Sequence, residues 1–122
     1  MGSYKRQMEA NVTGTEIDGV QLCFYVHLRA HHDGRLLSEW LLEQARQQGI
    51  GGGSVFRATA GFGRHGVLHE EAFFDLADDL PVKVEFLLRP AQADALLARV
   101  RESGVHAVYA TSTIRFGVLG AQ

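Results

Sequence analysis

An alternation of apolar side chains, repeated in two segments, constrains the fold more than any other feature of this chain. In residues 20–28 every second residue is apolar, and residues 82–88 repeat the pattern. Successive side chains of a strand point to opposite faces of a sheet, so each segment is predicted to be a strand with one buried face. The segments SVFRATAGF (54–62) and HAVYATSTIRF (106–116) are predicted to contain two further strands.

Two other segments place apolar residues at helical spacing. The first is predicted to begin at Asp33, as an N-cap, and to end at Gly49. The second has Pro90 in its first turn and ends at Gly104. Their apolar stripes are Leu36, Leu37, Trp40, Leu41 and Ala45, and Ala93, Leu96, Leu97 and Val100.

The resulting order is strand, helix, strand, strand, helix, strand, which is the ferredoxin-like βαββαβ arrangement of an α+β protein. Right-handed crossovers place both helices on one face of a four-stranded antiparallel sheet and leave the other face bare. We expect the bare face to pack against other copies of the chain, and the alternative is an open sheet with scattered amphipathic side chains. The residues expected on it are Cys23, Tyr25, His27, Arg57, Thr59, Leu87, Tyr109 and Thr111.

Charge and composition limit the classes of function. Twelve Lys and Arg against fourteen Asp and Glu give a net charge of −2, which provides no general basic field for nucleic acid or an anionic membrane. A lone Cys23 cannot form an internal disulfide, and no segment has the length and apolarity of a signal peptide or a membrane span. We therefore expect a cytoplasmic protein with an N-terminal extension (1–17) and one domain (18–122).

The connection between the second and third strands is far longer than a hairpin turn. It occupies about residues 63–80, whereas tight hairpins use two to five residues. At its start, the backbone N–H groups of Gly61 to Gly63 and the side chain of Arg64 form a plausible site for a phosphate or carboxylate. The alternative is a turn or bulge followed by a solvated arginine.

Metal binding and catalysis are less well supported by the residue pattern. His65 and His69 have i, i+4 spacing, but the intervening Gly66 disfavours the helix that would place them together, so no metal site is predicted there. No serine or cysteine has the neighbours of an activated nucleophile, and the GIGGGS run lacks the lysine of a phosphate-binding P-loop. A non-enzymatic role with no covalent cofactor is therefore expected.

Two stretches carry a resemblance to a known family: GIGGGSVFRATAGFGRHGVLH (49–69) and DLADDLPVKVEF (75–86). Together they resemble the PII-like family termed domain of unknown function 190, over about residues 19–117. AGFGRHG (60–66) is similar to the start of the T-loop in PII signal-transduction proteins. The resemblance implies a homotrimer with inward-facing sheets and small-molecule sites between subunits, which in PII proteins hold adenine nucleotides. The matched residues Gly61, Phe62, Gly63 and Arg64 would line the nucleotide.

The chain also departs from the PII pattern. His65, which is included among the predicted ligand-binding residues, replaces a glutamine that in PII proteins helps to hold magnesium and 2-oxoglutarate. No tyrosine lies between Gly63 and Pro81 to accept a nucleotidyl group. The glycine-rich phosphate loop before the last strand is reduced to Gly104, so AMP or ADP is expected rather than a triphosphate. Arg115 is a further candidate for the phosphate pocket, with a surface salt bridge as the alternative.

The overall expectation is a PII-like regulatory protein that binds a small anionic metabolite and presents its 63–80 loop to a partner, such as a membrane transporter. Two alternatives remain. One is a trimeric divalent-metal-binding protein of the cation-tolerance type, which would use His65 and His69. The other is an acylphosphatase-like hydrolase, which needs an asparagine to position water, and the chain has only Asn11.

Overall fold

The computed structural model describes residues 16–61 and 80–120, which form one four-stranded sheet, one small hairpin and two helices. The elements are β1 (Ile17–His27), β2 (His31–His32), β3 (Arg35–Leu36), α1 (Leu37–Gln47), β4 (Ser54–Arg57), β5 (Pro81–Leu88), α2 (Pro90–Ser103) and β6 (Val108–Phe116). The main sheet has the order β4-β5-β1-β6 with every neighbouring pair antiparallel. This confirms the predicted ferredoxin-like fold.

The hydrophobic core lies between the two helices and one face of the sheet. The alternating residues of β1 and β5 supply its sheet side, and the apolar stripes of α1 and α2 supply the other side. Trp40, the sole tryptophan, is almost fully buried in this core. The fully buried side chains of largest volume are Phe24, Phe86, Leu22, Leu41, Leu88, Leu96, Val82 and Val84.

The first helix begins three residues later than the sequence predicted, with Leu36 rather than Asp33 at the N-cap position. Asp33 and Gly34 both have positive φ, 53° and 78°, and connect the short strands β2 and β3. Two-residue hairpin turns of type I′ need positive φ at both central positions, and Asp-Gly is among the pairs that adopt it most readily. The prediction that Asp33 caps the helix is therefore wrong: α1 starts at Leu37 and Asp33 belongs to the turn.

The other predicted helix ends are confirmed. Gly49 follows α1 in the left-handed conformation (φ 80°), with its N–H bonded to the Arg46 carbonyl and the Ile50 N–H bonded to the Ala45 carbonyl, each at 3.0 Å. These two bonds are a Schellman motif, which glycine favours because it has no Cβ. Pro90 is the first residue of α2, and Gly104 ends that helix with φ 80°.

Part of the predicted bare face is wrong, and the first two misplaced residues lie on β6. Directly paired residues of neighbouring strands point to the same face. Tyr109 pairs with the core residue Phe24, and Thr111 pairs with the core residue Leu22, so Tyr109 and Thr111 lie on the helix side of the sheet. The two faces of β6 cannot be told apart from the sequence, because both alternating rows of this strand mix apolar and hydroxyl side chains.

The β4 assignments are corrected in the same way. Arg57 pairs with the buried Val82 and therefore also lies on the helix side, while Thr59 lies beyond the end of β4. The predictions for Cys23, Tyr25, His27 and Leu87 are confirmed, since their β1 or β5 register places them opposite the helices. Along residues 16–61 and 80–120, no helix combines the length and apolarity needed to cross a membrane.

Alanine substitutions at Gly53 and Gly51 test how the segment that precedes β4 packs against the core. A Cβ on Gly53 would lie 2.4 Å from Cε1 of the buried Phe86 ring, whereas a Cβ on Gly51 would meet nothing within 4 Å. We expect Gly53→Ala to lower the free energy of unfolding by about 1–3 kcal/mol, because the added methyl group would overlap the buried Phe86 ring and force the core to shift. Gly51→Ala should stay within about 0.5 kcal/mol of the wild type.

Urea unfolding followed by the fluorescence of Trp40 measures both effects. Equal stabilities for the two variants would show that Phe86 does not occupy the position described.

Candidate functional site

The face of the sheet opposite the helices carries a group of exposed apolar side chains. Tyr25, Phe56, Leu87 and Val108 come from all four strands, and each is between 37% and 48% exposed. The register places them on the same face, since Tyr25 pairs with Val108 and both Tyr25 and Phe56 pair with Lys83. We call this surface the open face. Apolar side chains grouped in this way are typical of a surface that binds another molecule.

A small polar cluster lies among these apolar residues. The ammonium group of Lys83 is 3.1 Å from Oε1 of Glu85, and Sγ of Cys23 is 3.9 Å from the same oxygen. The hydrogen bond to Glu85 raises the pKa of Lys83. Burial, followed by the charge of Glu85, raises the pKa of the Cys23 thiol. The thiol is therefore held protonated and unreactive at neutral pH, as expected of a buried structural cysteine.

A cleft of about 240 Å³ lies beside this cluster, where β4 ends and β5 begins. Its lining surface is almost entirely apolar and includes residues with two aromatic rings, Tyr25 and Phe56, together with Lys83. Arg57 also borders the cleft, but its register directs its side chain to the helix side of the sheet. The ammonium group of Lys83 is 5.0 Å from the centroid of the Phe56 ring, a cation–π contact that holds both side chains at the edge of the cleft. The lining residues are Tyr25, Phe56, Arg57, Ala58, Pro81, Val82 and Lys83.

The cleft adjoins the position at which the sequence predicted an anion site. Gly61 lies next to the cleft residue Pro81, because a Cβ on Gly61 would be 3.4 Å from Pro81 Cγ. The remaining loop residues of the predicted site, Phe62, Gly63, Arg64 and His65, lie outside the described residues, as does His69. Of the predicted loop site, the structure therefore places only Gly61, at the border of the cleft.

Arg115 lies far from that cleft within the same subunit. It pairs with Asp18 at the beginning of β1, and its Nε is 3.4 Å from Asp18 Oδ1. Tyr25 is seven residues further along β1, which corresponds to about 23 Å of extended strand. One subunit therefore does not bring Arg115 to Gly61, and Arg115 could join this site only from another copy of the chain.

Sequence reasoning assigned none of the cleft's lining residues to a ligand site. Tyr25 and Arg57 were expected only on the bare face, and Lys83 and Phe56 were not singled out at all. Lys83 was identifiable, since the alternation in VKVEFLL places it on the side of the strand away from the core. Phe56 was harder to assign, because β4 is only four residues long and all four are exposed, which gives no alternation to follow.

The histidines of the β1 to α1 connection have structural contacts. The His32 ring packs edge-on against Trp40 with centroids 4.6 Å apart, and His31 Nδ1 is 2.6 Å from the Arg29 carbonyl oxygen. In the stretches 16–61 and 80–120, no three His, Cys, Asp or Glu side chains group closely enough to hold a metal ion. His65 and His69 lie outside these two stretches.

Comparison with known proteins identifies relatives of this chain. The profile of the DUF190 family, described as Uncharacterized ACR, matches residues 19–116. The UPF0166 protein of Aquifex aeolicus (strain VF5) is 38% identical over 55 residues, an alignment that covers 45% of this chain and 52% of that relative. The chain thus spans about half the length of this curated relative, whose name states no activity.

The raised pKa of Cys23 predicts how fast its thiol reacts with a labelling reagent. Because burial and Glu85 disfavour the thiolate, a thiol reagent such as Ellman's reagent at pH 8 should react more slowly with the native protein than with the urea-unfolded chain. Glu85→Gln removes a negative charge that raises this pKa, so the native thiol should react faster and reach its half-maximal rate at lower pH.

Glu43→Gln is the matched control, because Glu43 bonds to Arg46 and Gln47 on α1 and plays no part in the Cys23 cluster. An identical pH profile for Glu85→Gln and Glu43→Gln, measured at the same association state, would contradict the assigned role of Glu85.

Proposed function

This chain belongs to the DUF190 family of PII-like proteins, and on that premise we propose that it is a non-enzymatic regulatory protein that binds a small anionic effector between copies of itself. The observation that carries the proposal is the position of the cleft that Tyr25, Phe56 and Lys83 line. It lies at the border of the open face and adjoins Gly61, where the predicted anion site begins.

The open face supports self-association into a homotrimer. Its apolar residues Tyr25, Leu87 and Val108 would lose contact with water if three sheets faced one another, and burial of apolar area is the main driving force for association. The Lys83–Glu85 pair fits the same arrangement, because two opposite charges already bonded to each other cost less to bury than a single charge.

The cleft supports a ligand with a planar ring and a negative charge. The rings of Tyr25 and Phe56 offer apolar contact, and Lys83 offers an ammonium group whose charge is partly balanced by Glu85. Arg64, at the start of the loop, would add a guanidinium that binds phosphate through two hydrogen bonds. An adenine nucleotide with one or two phosphates, AMP or ADP, fits this modest positive charge.

Regulation would follow from the place of the site at the base of the 63–80 loop. A ligand held by Gly61 and Arg64 binds one loop arrangement better than others and thereby shifts the loop population. The surface offered to a partner protein, for example a membrane transporter, would then depend on the concentration of the ligand. The protein would act in the cytoplasm, where nucleotide concentrations report metabolic state.

The association can be tested by the molar mass in solution. Light scattering coupled to size exclusion should give three times the 13.4 kDa of one chain. Leu87→Glu places a charge on the open face and should shift the mass to that of one chain, because an unpaired carboxylate would have to be desolvated in the interface. Arg101→Glu, on the exposed side of α2, should leave the trimer intact. A wild-type mass of one chain at micromolar concentration would refute the homotrimer.

Ligand binding can be tested by thermal shift with AMP, ADP and ATP. A nucleotide at 100 times its Kd should stabilise the wild type by about 2.7 kcal/mol and raise its Tm accordingly. Arg64→Ala should lose most of that shift, whereas the control Arg101→Ala should keep it. Equal shifts in the two variants would place the ligand elsewhere.

The same screen separates the two alternative functions. Tight uptake of Cu or Zn that is lost in His69→Ala would favour a metal-binding protein. Turnover of an acyl phosphate by the wild type would favour a hydrolase.

A further inference from the structure

A row of three side chains on the first helix faces the second helix. Trp40, Gln44 and Gln48 follow one another at intervals of four residues, the first two within α1 and Gln48 at its C-cap position. Residues four apart lie above one another on the same side of a helix. The three side chains therefore line one side of α1.

Both ends of this row contact α2. The guanidinium carbon of Arg99 is 5.6 Å from the centroid of the Trp40 ring. At the other end, Nε2 of Gln48 donates a hydrogen bond to the carbonyl oxygen of Ala95, 3.2 Å away. Gln44 lies between these two contacts, so its side chain is directed into the space between the helices. We call the space enclosed by these five residues the helix seam.

The helix seam contains two buried amide oxygens that accept no hydrogen bond from the described part of the chain. Gln44 is only 5% exposed, and its Oε1 atom has no donor among residues 16–61 and 80–120. Oε1 of Gln48, one turn further along, is buried and lacks a donor within the same residues. These two are the only buried side-chain nitrogen or oxygen atoms of that part of the chain in this condition, and they lie side by side.

A buried amide oxygen without a donor is costly and therefore rare in native proteins. Burial removes the hydrogen bonds that bulk water gives the oxygen, and an apolar side chain in the same place would avoid that loss. Where protein donors are lacking, an enclosed water molecule is the usual partner of a buried polar atom. Two such oxygens one helical turn apart therefore indicate one shared donor.

We propose that one ordered water molecule occupies the helix seam and donates its two hydrogens to Oε1 of Gln44 and Oε1 of Gln48. Two polar partners are enough to hold a buried water, and the water oxygen can accept a third hydrogen bond. Because Nε2 of Gln48 is bonded to the Ala95 carbonyl, the water connects Gln44 to α2 through Gln48.

The water site helps to set how the two helices are aligned. Apolar contacts are not directional, whereas a chain of hydrogen bonds is satisfied only when its donors and acceptors stand in the right places. Gln44, the water, Gln48 and Ala95 form such a chain across the helix seam. None of these residues lines the cleft, so the inference does not depend on the proposed ligand or on self-association.

A direct hydrogen bond between the two amides is the alternative. A half-turn of the Gln44 amide would exchange Oε1 for Nε2, which could then donate to Oε1 of Gln48. However, Nε2 carries two N–H groups, and the second would be buried in the seam and need an acceptor of its own. The bridging water satisfies both oxygens and leaves no amide hydrogen in need of a partner, so we favour it.

Overhauser spectroscopy of the full-length protein detects the water directly. A water that stays bound gives nuclear and rotating-frame Overhauser cross peaks of opposite sign, which separates it from passing surface water and from proton exchange. We expect such cross peaks between the water resonance and the side-chain amide protons of Gln48. Gln44→Met should abolish them, because the water loses one of its two acceptors. The matched control Gln47→Met, on the exposed side of α1, should keep them.

The urea midpoint of the same variants provides a second readout, followed by circular dichroism. If water bridges the oxygens, Gln44→Met leaves Oε1 of Gln48 without its donor, and the midpoint should fall below that of Gln47→Met. If Oε1 of Gln44 has no donor, the same substitution removes an unpaired buried oxygen, and the midpoint should rise.

Three results would overturn the proposal: a wild type without bound-water cross peaks, cross peaks that persist in Gln44→Met, or a raised midpoint in Gln44→Met. Cross peaks that show a direct contact between the two amides without water would establish the half-turned Gln44 instead. If Gln44→Met does not fold, the wild-type spectrum alone still decides whether a bound water is present.

Discussion

The pairing of the central strand β1 with its two neighbours determines where the core and the candidate site of this protein lie. Its antiparallel register with β5 on one side and β6 on the other determines the face to which every side chain of the sheet points. Leu22, Phe24 and Val26 are committed to the core by their burial, and a slip of one residue would exchange them for Cys23, Tyr25 and Gln21. The identity of the open face and the position of the cleft both follow from this register.

The fold could be predicted from the sequence because several independent local patterns indicate the same architecture. The alternation in β1 and β5, the proline at the start of α2 and the left-handed glycines Gly49 and Gly104 each specify local backbone geometry, and all of them fit one fold. Asp33 was misread because aspartate is favoured both as an N-cap and before glycine in a tight hairpin. Only the tertiary pairing of β2 with β3 decides between these two roles.

The candidate site was less predictable, and for a physical reason. Local patterns identify residues whose own backbone must turn, such as Gly61, but they do not state which distant side chains approach that turn. Lys83 and Tyr25 reach the cleft through strand pairing, which depends on register. Arg115 is a candidate for the phosphate pocket only because its guanidinium can bind phosphate, and the sequence does not show how near it lies to the loop. Its pairing with Asp18 shows how far apart two residues of suitable chemistry can lie on one sheet.

Assembly and ligand binding are coupled if the cleft is shared between copies. A ligand that contacts Lys83 of one subunit and any residue of the next would bind the assembled form better than the separate chains. By linkage, that ligand must then stabilise the assembly by the same free energy that assembly contributes to its affinity. The apolar side chains of the open face would be a liability in an isolated chain, since exposed apolar patches promote aggregation. In the proposed homotrimer that face would be buried between copies, and the cleft at its border would be the pocket that responds to a metabolite.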